Sequence, residues 1–175
     1  MKSPLVRHAA TYGLYIGLAL ILLSLLNYLF GLYGQNKIFN ILTTWLIPIA
    51  GIVWATIQYR DREKGGFISY GDSVGYGVLL SLFYGIITTT FSVLLIYVIS
   101  PDYADKIMEA AAETLYESGI YTESQIEAVT VMMERFNTPT FMLIGGVVGT
   151  AIIGLIISLI TSIFTKRTKP MFVND

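Results

Sequence analysis

Four long stretches of this chain contain no Asp, Glu, Lys, Arg or His: Tyr12–Tyr33, Phe39–Tyr59, Val74–Ile99 and Thr140–Thr165. Each is about as long as the roughly 20 residues a helix needs to cross the hydrocarbon of a bilayer. The pattern predicts a polytopic, all-α integral membrane protein, a single membrane domain built as a four-transmembrane-helix bundle. Ser100–Thr138 reads differently. Asp105, Glu109, Glu113 and Glu117 recur every four residues, and Tyr103, Ile107, Ala111 and Leu115 recur likewise. At 100° per residue the two sets lie about 200° apart, so acid faces one way and apolar surface the other. Pro101 suits the start of this helix and Gly119 its end. Thr122-Glu123-Ser124-Gln125 reads as a capping box for a second helix running to about Phe136. Its Ile126, Val129, Met133 and Phe136 offer a matching face. Residues 100–138 are therefore expected to form an acidic helical hairpin between spans three and four.

Composition supports the membrane reading. Charged residues make up 13% of the chain and hydrophobic ones 54%, against the roughly one-quarter charged residues of a soluble domain. Cysteine is absent, which excludes disulfides, thiolate catalysis and Cys-based metal sites. His8 alone cannot build a multi-His site, and no cofactor or metal is expected. Lys2 and Arg7 would suit the start of a signal peptide. The run that follows is longer than a 7–15-residue signal core and no A-x-A-like site closes it, so it reads as a retained first span.

The charges also orient the chain. Lys2, Arg7, Arg60, Arg62, Lys64, Lys166, Arg167 and Lys169 fall on one side of the spans, while Lys37, Lys106 and Arg135 fall on the other. Eight against three predicts cytoplasmic N- and C-termini and an extracytoplasmic hairpin. Tyr12, Tyr28, Tyr33, Phe39, Tyr59, Tyr97 and Phe164 mark span ends at headgroup depth. Trp45 and Trp54 lie deeper and are expected to be packed.

Within the spans, Gly13/Gly17 and Gly145/Gly149, with Gly146 and Gly154 beside the second pair, have the spacing that lets helices approach closely. Packing inside this bundle is preferred to homodimerisation. Pro48 should kink span two, with Thr44 available for the freed carbonyl. Thr88, Thr89, Thr90 and Ser92 are expected to bond back to their own helix rather than line a polar track. The spans hold no ionisable group of the kind proton relays and ion-coupled transporters place in the membrane. In the connection after span two, Arg60, Arg62 and Lys64 are candidates for contacting a lipid headgroup or phosphate, although topology alone would require them. Gly65-Gly66 signals a turn, Phe67, Ile68 and Tyr70 suggest a segment in the headgroup layer, and Asp72 or Ser73 is expected to cap span three. The ridge of Asp105, Glu109, Glu113 and Glu117 is a solvated face or else a surface for a basic partner or a weakly held divalent cation.

The basic opening, the Tyr59–Ser73 connection, Ser100-Pro101-Asp102 with its acidic loop, and the glycine-rich last span ending in Lys166-Arg167 resemble one family. It is the small four-span inner-membrane family of Bacteroidetes-type bacteria catalogued as domain of unknown function forty-one ninety-nine. The resemblance implies four spans, no established activity, no catalytic residues to carry over, and an association with lipid-linked sugar glycosyltransferases. The residues point to a non-enzymatic accessory or scaffold protein, with the bilayer and a membrane-protein partner or second copy as its contacts and no nucleic acid. The alternative is a small transporter, channel or lipid-handling protein. An intramembrane enzyme would have only Asp61, Glu63 and Asp72 to draw on.

Overall fold

The computed structural model describes residues 4–32 and 36–169; Lys2 and Tyr33 lie outside them. Among the described residues six helices follow in order: α1 (Pro4–Leu29), α2 (Lys37–Glu63), α3 (Tyr70–Ile99), α4 (Asp102–Ser118), α5 (Glu123–Phe136) and α6 (Pro139–Thr165). The first three and α6 are long and apolar enough to cross a bilayer. Their outward surfaces carry Leu18 and Leu22 on α1, Ile86 on α3, and Ile144, Ile152, Ile160 and Phe164 on α6, all about half exposed or more. Water would penalise so continuous an apolar surface; lipid does not.

Chain ends and connections group at two ends of the bundle. The start of α1, the α2–α3 connection and the end of α6 share one, because His8 stacks on Tyr12 and bonds Tyr76, and Thr165 bonds Ser73. α4 and α5 lie at the other, where Tyr103 packs edge-on against Tyr28.

Small residues in antiparallel register hold α3 to α6. Ser73, Gly77, Ser81, Gly85 and Thr89 on α3 face Ser162, Ser158, Gly154, Thr150 and Gly146 on α6. Glycine on one helix receives Ser or Thr from the other at four of the five levels. Lipid offers no hydrophobic drive for helix association, so close backbone approach must supply the attraction. α1 joins α3 through Gly13 and Gly17: a Cβ on Gly13 would lie 2.6 Å from Phe83 Cβ, and one on Gly17 2.9 Å from Ile87. Gly145 and Gly149, expected to pack, have open space beside them; the close approaches on α6 are made by Gly146 and Gly154.

Three local features depart from expectation. Pro48 follows a π turn at Leu42–Leu46, in which Ile47 N–H reaches Leu42 C=O, so the extra residue absorbs the disruption. Thr43, not Thr44, bonds back, to Phe39 C=O at 2.9 Å. Ser69, ahead of Asp72 and Ser73, caps α3 by accepting from Asp72 N–H at 3.1 Å. Trp45 and Trp54 are 48% and 49% exposed and face outward. In the α4–α5 pair, Gly119 adopts φ 64° after α4, and Thr122 N–H donates to Gln125 at 2.9 Å to open α5. On α5 only Ile126 is buried; Val129, Met133 and Phe136 remain more than a third exposed.

Candidate functional site

A polar and aromatic cluster sits where the first turns of α1, the α2–α3 connection and the end of α6 come together. His8 enters from the second turn of α1, one turn before Tyr12, so the two rings share a face. They stack at 4.3 Å between centroids, 14° from parallel. Tyr59 from α2 and Tyr76 from α3 stack at 4.5 Å and 4°, and each is tilted against His8. His8 Nδ1 and the Tyr76 hydroxyl share a 2.7 Å hydrogen bond. His8 is buried, and its Nε2 has no partner among the described residues. Ile16, Ile52, Ala55 and Leu80 close the core beside the cluster. One imidazole and three phenols thus pin α1, α2 and α3 together.

A second cluster lies beside it on α6. Ser73 bonds both Ser162 (2.8 Å) and Thr165 (2.9 Å). Ser158 Oγ, against Gly77, is buried and unpartnered among the described residues. Arg60 closes the end by donating to Thr165 C=O at 3.1 Å. Ile68 and Arg167 exchange backbone hydrogen bonds of 2.9 Å, so Ile68 is buried by the tail rather than laid in the headgroup layer.

The three basic residues of the connection do not converge. Arg60 lies 2.7 Å from Asp61. Lys64 pairs with Asp72 at 3.5 Å and sits 6.0 Å from the Tyr59 ring centroid. Arg62 is exposed. Two of the three cations are thus engaged by carboxylates of the same connection, which weakens their reading as an anion site. The same pairs occupy two of the three carboxylates available to an enzyme reading. Asp105, Glu109, Glu113 and Glu117 form an exposed ridge along α4. No group of three or more His, Cys, Asp or Glu able to hold a metal is present among the described residues.

Sequence reasoning passed over His8 because it stands outside the charge-free runs. The available signal was its place four residues before Tyr12. The α3–α6 register was missed because it alternates Gly with Ser and Thr, and glycine spacing alone does not show which of Gly145, Gly146, Gly149 and Gly154 faces α3.

A family model described as Protein of unknown function (DUF4199) matches residues 11–167. No curated protein and no solved structure matches the chain.

Proposed function

We propose, on the premise that the chain belongs to the family described as Protein of unknown function (DUF4199), that it serves as a non-enzymatic accessory or scaffold protein of a bacterial inner membrane. Both chain ends and the Arg60–Gly66 connection face the cytoplasm, and α4 and α5 stand outside. The observation that carries this reading is the surface of α5. Val131, Met132, Met133 and Phe136 stay exposed, Met132 at 60%, among the exposed Glu127, Glu134 and Arg135 of the same helix. An apolar stripe flanked by charge is the surface a protein partner covers. The core filled by His8, Tyr59 and Tyr76 suits a binding protein better than a channel. The pairing of Asp61 with Arg60 and Asp72 with Lys64 leaves little for acid–base catalysis.

The test is a photo-crosslinking residue at Met132, activated in native membranes. The expected product is one discrete adduct, with a second protein or a second copy, that disappears when Met133 and Phe136 become Asp. A strictly monomeric protein that yields no adduct at Met132 would overturn the reading.

A further inference from the structure

The end of the bundle near α4 and α5 is less tightly closed than the end around His8. Along α2, Pro48, Ile52, Ala55, Thr56 and Tyr59 are buried, whereas no residue from Lys37 to Leu46 is. Ile38, Ile41 and Leu46 are each more than half exposed. The π turn at Leu42–Leu46 and the proline behind it set this half of α2 apart from the rest of the helix. A cavity of about 300 Å³ lies among α1, α2, α3 and α6 at that level, at the lower end of the volumes that ligand sites occupy.

Its wall has a specific chemistry. Thr43, Thr88, Ser92 and Thr150 line it. Each donates its hydroxyl proton to its own helix: to Phe39 C=O (2.9 Å), Tyr84 C=O (2.9 Å), Thr88 C=O (3.0 Å) and Val147 C=O (2.9 Å). What these side chains have left to offer is oxygen lone pairs. Asn27 also lines the cavity, and its Oδ1 is buried with no partner among the described residues. The remaining wall combines apolar side chains, Leu20, Ile21 and Phe91 among them, with the hydroxyls of Ser24, Thr44 and Tyr84, and no Asp, Glu, Lys, Arg or His takes part.

A wall of hydroxyls and one amide, without a cation, does not neutralise a carboxylate or phosphate, and without a carboxylate it cannot hold a buried ammonium group. It suits an uncharged group that exchanges several hydrogen bonds and donates to the orphan Asn27 oxygen. The orphan Asn27 oxygen is the kind of buried acceptor whose lack of a partner calls for a bound one. Because these helices stand in lipid, the ligand pool at this depth is amphiphilic. We propose that the cavity binds the dihydroxy head of an uncharged single-chain lipid, the monoacylglycerol class, with its chain leaving beside the exposed half of α2. Two vicinal hydroxyls meet the Asn27 oxygen and the Thr88–Ser92 lone pairs.

The test uses the purified full chain in phosphatidylcholine vesicles. The probes are a monoacylglycerol with a photoactivatable diazirine in its acyl chain, the fatty acid with the same chain, and the matching lysophosphatidylcholine. The monoacylglycerol should label peptides containing Leu20–Asn27 and Thr43–Pro48, and unlabelled monoacylglycerol should compete. Asn27→Leu, and separately Ser92→Ala, should each cut that labelling by about fivefold, the worth of one hydrogen bond. Competition on the unaltered protein keeps the test decisive if a variant fails to fold. Equal labelling of the same peptides by the fatty acid or the phosphocholine probe would overturn the proposal. So would labelling that unlabelled monoacylglycerol does not reduce, or that appears only on outward residues such as Ile144 and Ile160.

Discussion

Gly85 on α3 lies directly against Thr150 on α6, so close that a methyl group on Gly85 would overlap the threonine hydroxyl. The same fit repeats one turn away on either side, at Ser81–Gly154 and Thr89–Gly146. Bulk at these levels separates two helices that have little else to draw them together. Gly85→Leu and Gly154→Leu should each destabilise the bundle by about 3 kcal/mol or more, at or beyond the upper end of ordinary overpacking. Gly145→Ala and Gly149→Ala on the same α6 meet open space and should change stability by less than about 1 kcal/mol, the scale of helix propensity alone. Unfolding in a denaturing detergent titration, followed through Trp45 and Trp54, separates the two pairs. Equal losses in both would mean that the register between α3 and α6 is wrong.

His8 and Tyr76 should behave as a coupled pair. Tyr76→Phe removes one 2.7 Å hydrogen bond and leaves His8 Nδ1 buried without it, which costs about 1–3 kcal/mol. His8→Ala adds the loss of stacking on Tyr12 and a void in the core, for about 2–5 kcal/mol. Because both single changes delete the same bond, the double variant should cost less than their sum. Additive losses would show that the two side chains contribute separately.

The legible part of the fold was whatever composition alone decides. Twenty-odd residues without charge have one stable environment, so the spans at Tyr12–Tyr33, Phe39–Tyr59, Val74–Ile99 and Thr140–Thr165 could be placed before any contact was known. Their ends were less clear, because headgroup depth tolerates charge and capping. Hence α1 begins at Pro4, α2 carries Arg60 and Arg62, and α3 is capped by Ser69. Which small residue touches which depends on helix rotation, and lipid-facing and partner-facing residues are equally apolar. That is why Gly145/Gly149 could be taken as the leading pair, with Gly146 and Gly154 beside it, when the close approaches are made by the latter two. The cavity was hidden for a similar reason. The hydroxyls of Thr88 and Ser92 do bond back to their helix, as their spacing suggested, yet their remaining lone pairs face a space that only the displacement of α2 creates.

The Lys64–Asp72 pair should matter little for stability. Its side chains are 38% and 54% exposed at 3.5 Å, and exposed pairs contribute between nothing and about 1 kcal/mol. Lys64→Ala and Asp72→Asn should each shift the same detergent titration by less than about 1 kcal/mol, with the smaller effect in high salt. A large loss from either would mean that the pair closes the end of the bundle, as Arg60 does through Thr165.

Orientation can be read directly because the chain contains no cysteine, so each introduced thiol reports one site. Glu117 ends the acidic ridge of α4, and Lys166 follows α6; both are exposed, at opposite ends of the bundle. With eight basic residues assigned by sequence to the side of Lys166 against three on the other, the membrane potential and anionic inner-leaflet lipids would both favour keeping Lys166 inside. In intact spheroplasts a membrane-impermeant maleimide should therefore label Glu117→Cys and spare Lys166→Cys until the membrane is opened. Charge supplies the direction, so reducing the bias should scramble it. With Arg60, Arg62 and Lys64 all changed to Gln, the excess falls to five against three, and part of the Lys166→Cys population should become labelled from outside. Full protection of Glu117→Cys in the otherwise unaltered chain would invert the orientation and place the α4–α5 surface in the cytoplasm.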